Sequence, residues 1–266
     1  MKRESIDWLT VVAIAAIAIS INVGFHEGVH ALTCVAVGSD LQEYSALYAE
    51  CQSATAWQEK IVAGSAPVAN LLLGTVLWLV LLRVRDLAPR LRFFLWLLML
   101  MNWLYGAGYW ILSGIANIGD WAKVIEGWEP HWLLRVGMAI FGVLVYALFT
   151  WQSFQLFGRM MGGNGAEQTS RANKLGFISY VTAAAVVLLA GLFSPYGPLG
   201  LPAVAGFMAA AGSLSPLVWM MRWFKVGALA QPGWGPLEIR RSWSWVAVAV
   251  VVVFLYTFVL GQTLYF

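Results

Sequence analysis

The fold is decided by residues 8–37, which read WLTVVAIAAIAISINVGFHEGVHALTCVAV. This run is apolar almost throughout, and Glu27 is the one Asp, Glu, Lys or Arg within it. A helix rises about 1.5 Å per residue, so the run is long enough to cross a hydrocarbon core of about 30 Å. Backbone polar groups have no water partners in lipid, so the run is predicted to be a transmembrane helix.

The rest of the sequence continues this pattern. Of the 266 residues, 61% are hydrophobic and 11% are charged, whereas soluble domains are about 25% charged. Many of the 15 Trp and 9 Tyr lie near the ends of apolar runs, as in the aromatic belts of membrane proteins. We therefore predict an all-α polytopic membrane protein, a single membrane domain over residues 1–266. Its predicted helices, about seven, lie at 8–37, 61–82, 93–115, 132–157, 175–193, 200–221 and 244–264.

The placement of charge predicts the orientation. Short loops rich in Lys and Arg stay on the cytoplasmic side of a membrane. Such residues precede the first predicted span and follow the second, fourth and sixth, whereas the loops between these are acidic or uncharged. The N-terminus is therefore predicted to be cytoplasmic and the loop 38–60 to lie outside. The basic residues are Lys2, Arg3, Arg83, Arg85, Arg90, Arg92, Arg159, Arg171, Lys174, Arg222, Lys225, Arg240 and Arg241.

The first span carries the pattern His26-Glu27-Gly28-Val29-His30. Helical residues four apart share a face, so the two imidazoles can bind one tetrahedral Zn²⁺. Glu27 can then act as the general base for a water that the metal activates. An ionisable residue inside a membrane helix costs about 2.5–3.5 kcal/mol, and a bound metal would offset that cost here. An alternative is that the histidines are core residues without a metal.

A catalytic zinc site needs a third protein ligand at the same membrane depth. His26 lies 18 residues after Trp8, or roughly 27 Å along the helix, so the motif is near the outer end of its span. Asp120 follows the third span and reaches the same end, so we predict it to be the third ligand. His131 is an alternative ligand, and Asp120 would then be a solvated loop residue.

Asn70 is an amide in an otherwise apolar stretch of the second span, three residues after Pro67. It is a candidate to bind a substrate backbone or an oxyanion. The surrounding small residues Ala63, Gly64, Ser65 and Ala66 equally favour close helix packing, in which Asn70 makes an interhelical hydrogen bond. Without other information, the packing interpretation is the stronger one.

Together these elements resemble the site-2 protease family of intramembrane zinc metalloproteases. The run 26–32, HEGVHAL, resembles the His-Glu-x-x-His-Ala-Leu helix of that family, and 67–70, PVAN, is similar to its Gly-Pro-x-x-Asn element. Asp120 lies where the family places its third ligand. The resemblance covers about residues 8–130, which would form a metalloprotease core with a three-helix zinc site, and 131–266 would add further transmembrane helices.

The resemblance implies specific roles. His26, His30 and Asp120 would bind Zn²⁺, Glu27 would be the catalytic base, and Asn70 would help to position the substrate. The substrate would be a transmembrane or membrane-adjacent segment of another protein. Three features differ from the family: Ala66 and Trp121 stand where glycines are usual, and the predicted orientation puts the site near the outer face. A zinc-dependent hydrolase of a lipid amide or ester, and a non-catalytic zinc-binding membrane protein, are the alternatives; nucleic-acid binding has no support.

Two further expectations concern the outer loop. Cys34 and Cys51 can form one disulfide if both face an oxidising compartment, or they can be two free thiols, and the sequence favours neither. Segment 39–57 can present an extended edge beside the zinc, where an unwound substrate would pair with it. Because its alternation of apolar and polar residues is poor, a plain polar loop is the slightly favoured alternative.

Overall fold

A computed structural model describes residues 6–84, 86–161, 166–197, 199–223 and 237–266. The chain is mostly helical, and every strand within these ranges is short. The helices are α1 (Trp8–Ala36), α2 (Ala56–Arg83), α3 (Pro89–Ala116), α4 (Asp120–Ile125), α5 (His131–Met161), α6 (Ala166–Leu192), α7 (Leu201–Ser213), α8 (Pro216–Trp223) and α9 (Trp243–Phe254), and α9 continues as a π turn and a 3-10 turn to Gln262. The strands are β1 (Asp40–Tyr44), β2 (Ala49–Gln52) and β3 (Leu264–Tyr265).

Six helices in the described ranges are long and apolar enough to cross a membrane. They are α1, α2, α3, α5, most of α6, and α9 with its extension, and each overlaps a predicted span. The chain is therefore a multi-pass membrane protein. The predicted span at 200–221 corresponds instead to α7 and α8, each shorter than the roughly 20 residues that a span needs.

Helices α1 and α2 begin at side chains that satisfy free backbone N–H groups. Asp7 accepts a hydrogen bond from the backbone N–H of Thr10 and so caps α1. Thr55 and Gln58 form a reciprocal capping box at the start of α2. The Gln58 side chain also donates to the carbonyl of Val37, at 2.8 Å. This bond joins the start of α2 to the end of α1.

Helices α1 and α3 form the centre of the molecule, and α2 packs against both of them. Contact between α2 and α3 is close because Gly106 has no side chain. A Cβ atom at Gly106 would lie 2.9 Å from the carbonyl oxygen of Pro67 and 2.9 Å from the Leu71 side chain. The backbones of α2 and α3 therefore touch near residue 70, as small residues allow in membrane helices.

Segment 39–57 is not a plain polar loop, so the slightly favoured prediction is wrong. It contains β1 and β2, which pair in antiparallel fashion, and β3 from the end of the described chain pairs with the other side of β1. The sheet order is β2-β1-β3, which leaves one side of β2 unpaired by any described strand. A disulfide joins Cys34, near the end of α1, to Cys51 in β2.

The loops lie at two opposite ends of the helices. Ile239 accepts a hydrogen bond from the Asp7 backbone N–H and so marks the end at which α1 begins. The sheet lies at the other end, where Tyr196 donates to the Glu43 carboxylate. The acidic loops are at the sheet end, as expected from the charges, whereas the membrane side of each end stays a prediction. Lys2, Arg3, Arg85 and Lys225 lie outside the described residues.

Thiol labelling in intact cells tests the predicted orientation. We expect a membrane-impermeant maleimide to label Ala54→Cys and not Asp86→Cys. Both residues are exposed and they lie at opposite ends of α2. Cys34 and Cys51 are bonded to each other, so they add no background thiol.

Permeabilised cells supply the control, because both variants should then react. Labelling of Asp86→Cys alone in intact cells would place the sheet end in the cytoplasm and would overturn the orientation.

Candidate metal centre

Helix α1 brings His26 and His30 together because residues four apart lie on one face. Both side chains are buried, with 1% and 7% of their surface exposed. Their rings meet edge to face, and their Nε2 atoms are 3.3 Å apart. The two Nε2 atoms therefore point at one location between the helices.

Helix α4 brings Asp120 to the same location. Gly119, directly before it, has φ of 83°, a conformation that residues with a side chain rarely adopt. The Asp120 carboxylate lies 3.2 Å from Nε2 of His26 and 3.5 Å from Nε2 of His30. One potential ligand atom from each of the three residues lies within 4.8 Å of the others. The predicted third ligand thus joins the two histidines.

The far end of α4 is held by Lys60 of α2. Its ammonium group donates to the carbonyl oxygens of Lys123 and Val124, the latter at 2.8 Å. A cation at the last carbonyls of a helix is favourable both as a hydrogen-bond donor and toward the helix dipole. Asp120 is therefore fixed from both ends of a short helix.

The hydrogen bonds of the histidines fix the direction of their lone pairs. Nδ1 of His30 is 2.8 Å from the carbonyl oxygen of Val62, which can only accept, so this Nδ1 carries the hydrogen. Nδ1 of His26 is 2.7 Å from the side-chain oxygen of Asn70 and also donates. In each neutral ring Nε2 then presents a lone pair. Metal-bound histidines in proteins almost always have such a donor contact on the other nitrogen.

The cluster thus places three electron-rich groups against one another. Asp120 Oδ2 is buried and makes no hydrogen bond of acceptable geometry, although Nε2 of His26 is close. A cation between this carboxylate and the two lone pairs would satisfy all three groups. The residues present fit a divalent metal ion, although the geometry is not specific for zinc.

Glu27 lies beside the cluster with 4% of its surface exposed. Its carboxylate accepts a hydrogen bond from the backbone N–H of Ala49, the first residue of β2. Glu27 and the three possible ligands line one cavity of about 260 Å³. Other parts of the wall come from β2 and the residues before it, from the start of α4, and from Ala205 of α7. The cavity therefore joins the candidate metal centre to the edge of the sheet.

Several predicted alternatives lie elsewhere. His131 is partly exposed and its Nε2 is 3.1 Å from the side-chain oxygen of Asn117, so it is separate from the cluster. Asn70 is fully buried and does not line the cavity. Its amide nitrogen donates to Asn102 while its oxygen faces His26. The role of Asn70 in positioning a substrate stays a prediction, and its observed contacts are those of a helix-packing amide.

Sequence reasoning did not identify the α3 residues around His26. Tyr109 stacks on the His26 ring with centroids 5.0 Å apart, and Tyr105 meets it edge to face. Asn102 completes the contacts of Asn70. Asn102 is an isolated amide in an apolar span, which is the same signal that drew attention to Asn70.

Helix packing accommodates the two residues that differ from the site-2 protease pattern. Ala66 is fully buried in α2. Trp121 stacks on Trp110 of α3 with ring centroids 5.3 Å apart. The position after Asp120 therefore packs against α3.

Compared with known proteins, the chain matches no family model, no curated protein and no solved structure. Fold and site together define a multi-pass membrane protein with a buried group of potential metal ligands beside a glutamate. The likeness to site-2 proteases accordingly stays a prediction from the sequence motifs.

Proposed function

We propose that this protein is an intramembrane zinc metalloprotease of the site-2 protease type. The observation that carries the proposal is the convergence of His26 Nε2, His30 Nε2 and the Asp120 carboxylate beside Glu27. Two histidines and one carboxylate are a usual ligand set of catalytic zinc, which keeps a further position open. Burial of this set in a membrane protein favours a function, because intramembrane ionisable groups are costly.

The proposed chemistry is hydrolysis of a peptide bond. A zinc ion held there would act as a Lewis acid and lower the pKa of water from 15.7 to about 7. Glu27 takes a proton from the attacking water while the water oxygen bonds to the scissile carbonyl carbon. Glu27 then delivers that proton to the amide nitrogen as the carbon–nitrogen bond breaks. The Ala49 N–H keeps the Glu27 carboxylate in place for both steps.

The position of β2 supports a peptide as substrate. A transmembrane helix hides its carbonyl groups in its own hydrogen bonds, so the segment has to unwind before hydrolysis. The unpaired side of β2 offers backbone donors and acceptors to an extended chain. Residues Tyr48 to Cys51 line the same cavity as Glu27. An unwound segment of another membrane protein would therefore lie within reach of the base.

The proposal includes seven membrane crossings, with a three-helix zinc core in 8–130 and additional helices in 131–266. The positions of two residues at opposite ends of the helices support an odd number of crossings. Tyr196 contacts the sheet, whereas Ile239 pairs with Ile6 at the opposite end. The chain changes ends between these residues, and α7 and α8 lie in that interval. The two short helices together would supply the seventh crossing.

Proteomic comparison of cells that express the wild type or Glu27→Gln tests this function. We expect at least one membrane protein to accumulate uncut with the variant and to yield a new terminus, mapped to a membrane segment, with the wild type. Purified wild type in vesicles should then cleave it, and chelation should stop cleavage. Accumulation of a lipid amide or ester without any uncut protein would favour the lipid hydrolase. If neither an uncut membrane protein nor a lipid amide or ester accumulates, the result would favour a non-catalytic metal-binding protein.

Proline in β2 is expected to weaken cleavage without removing the metal. Glu50 is exposed, lies in β2 and lines the cavity. The Glu50 N–H faces β1, because the Ala49 N–H before it faces Glu27, so Glu50→Pro removes a donor between β1 and β2 and displaces the free side of β2. A hydrogen bond to substrate lost in this way, about 0.5–1.5 kcal/mol, corresponds to a several-fold loss of kcat/KM. The measurement is cleavage of a membrane substrate alongside metal content.

Glu50→Ala is the matched control, because it removes the same side chain and keeps the N–H group. Equal cleavage by both variants at unchanged metal content would contradict a role of the β2 backbone in holding substrate.

A further inference from the structure

A line of three hydrogen bonds connects His26 to the backbone of α3. Nδ1 of His26 is 2.7 Å from Oδ1 of Asn70, Nδ2 of Asn70 donates to Oδ1 of Asn102 at 2.8 Å, and Nδ2 of Asn102 donates to the carbonyl oxygen of Leu98 at 2.8 Å. We propose that Asn70 and Asn102 are positioning residues that hold His26 in the tautomer whose Nε2 lone pair faces the metal. This inference rests on the metal site of the proposed function, and it does not require that the protein be a protease.

The direction of the whole line is set at its far end. The Leu98 carbonyl can only accept, so Asn102 presents its NH₂ group there and its oxygen toward Asn70. Asn70 must then donate its NH₂ group to Asn102, which leaves its oxygen toward His26. Nδ1 of His26 therefore carries the hydrogen, and Nε2 is left with the lone pair. If either amide were reversed, two donors or two acceptors would face each other at hydrogen-bond distance.

Burial makes this direction costly to change. His26 is 1% exposed, and Asn70 and Asn102 are 0% exposed. No bulk water reaches these amides, so an amide that loses its partner keeps the full cost of an unsatisfied buried group. The close contact of α2 and α3 at Gly106, next to Pro67, keeps the two amides at bonding distance. The line is therefore rigid as well as directional.

His26 and His30 obtain their donor contacts in different ways. His30 uses the backbone carbonyl of Val62, which no substitution removes. His26 depends on two side chains from two other helices. The orientation of one possible ligand can thus be changed by substitution at Asn102, which touches neither His26 nor the cavity in the described contacts.

The alternative is that the amides only join helices, as polar side chains often do in membranes. Two variants of Asn102 separate the possibilities. Asn102→Leu removes both its acceptor and its donor, so Asn70 is free to turn its NH₂ group toward His26. Asn102→Asp keeps an oxygen that accepts from Asn70, whether its carboxyl group is protonated or not, and so preserves the direction at Asn70.

Asn22→Leu is the matched control. Asn22 is 0% exposed, lies one turn before His26 on α1, and has no hydrogen-bond partner among the described residues. The variant Asn22→Leu therefore changes the same type of residue at the same burial and close to His26. It does so outside the line of hydrogen bonds.

The experiment measures Zn²⁺ affinity by chelator competition, the visible absorption spectrum after Co²⁺ substitution, and Tm, all on the full-length protein in detergent. Loss of the group that orients a metal ligand typically lowers affinity 10–100-fold. We expect Asn102→Leu to lose affinity in that range and to change the Co²⁺ spectrum. Asn102→Asp and Asn22→Leu should keep the wild-type affinity and spectrum.

Other outcomes overturn the inference. If Asn102→Leu lowers Tm but keeps the wild-type affinity and spectrum, the amides only join helices. If Asn102→Asp loses as much affinity as Asn102→Leu, the direction of the amide is not what matters. If the wild type itself binds neither Zn²⁺ nor Co²⁺, the proposed function fails and the inference fails with it, which is a different result from the other two.

Discussion

Alanine at His26 or at His30 is expected to remove the metal from the purified protein. The wild type should carry about one ion per chain, because the three residues converge on one location. Each histidine would supply one of three ligands, and no other His, Cys, Asp or Glu among the described residues joins this group to replace it. Metal content measured by mass spectrometry should fall from about one to near zero, the largest change expected for any single substitution. Activity should be lost with the metal.

His131→Ala is the control, because His131 is the remaining histidine and lies apart from the cluster. It should keep the full metal content, whereas Asp120→Ala should lose it. Metal retained by Asp120→Ala and lost by His131→Ala would instead make His131 the third ligand. If the variant with alanine at both His26 and His30 still carried about one metal ion per chain, these residues would not form the metal site.

Glutamine at Glu27 is expected to separate metal binding from catalysis. Glu27 is not one of the converging residues, so the variant should retain the metal. The amide oxygen can still accept from the Ala49 N–H, but the amide cannot take a proton from water. General base catalysis contributes about 10²–10⁴-fold, so hydrolysis should fall by at least this factor. The measurement is initial rate against a membrane substrate, with metal content determined on the same sample.

Glu59→Gln makes the same chemical change in the same cavity. Glu59 lines the cavity but is half-exposed and pairs with Lys123 at 3.3 Å. This variant should hydrolyse at close to the wild-type rate. A Glu27→Gln protein as active as wild type would show that Glu27 is not the base, and a loss of metal would make it a ligand.

The long helices could be predicted because each is a continuous apolar run whose backbone has to satisfy itself in lipid. The segment 200–221 is uncharged, so its hydropathy gave no reason to divide it, although Gly212, Ser215 and Pro216 are residues that favour a break. The division after Ser213 depends on contacts with α5, where Tyr146 donates to the Ser213 carbonyl. Pro216 begins α8, a position where proline is tolerated in any helix. Hydropathy alone does not distinguish one continuous helix from two short helices that are joined at this proline.

The sequence did not favour the small sheet over a plain polar loop, because the pairing of its strands is not local. Strand β1 does not alternate clearly between apolar and polar residues, and β2 alternates over only four residues. Strand β3 lies more than two hundred residues from β1, and the disulfide fixes β2 to α1. The sequence allowed that disulfide and two free thiols equally, since the distance between Cys34 and Cys51 depends on how the hairpin folds.

Most of the candidate site was accessible from the sequence. The spacing of His26 and His30 fixes their common face, and the order of the spans places Asp120 at the same depth. The contacts of Asn70 were not accessible, because they depend on Asn102 in another helix and on the close approach that Gly106 permits. A single amide in an apolar span indicates an interhelical bond without naming its partner.

The order of these elements along the chain has a consequence for biogenesis. His26, His30 and Asp120 all precede α5, whereas β3 is the last element of the described chain. Ribosomes add roughly 5–20 residues per second, so this group of potential ligands is complete several seconds or more before β3 is made. The nascent chain therefore holds all three residues while the sheet still lacks a strand. The order of synthesis thus allows metal binding and the Cys34–Cys51 disulfide to precede closure of the sheet.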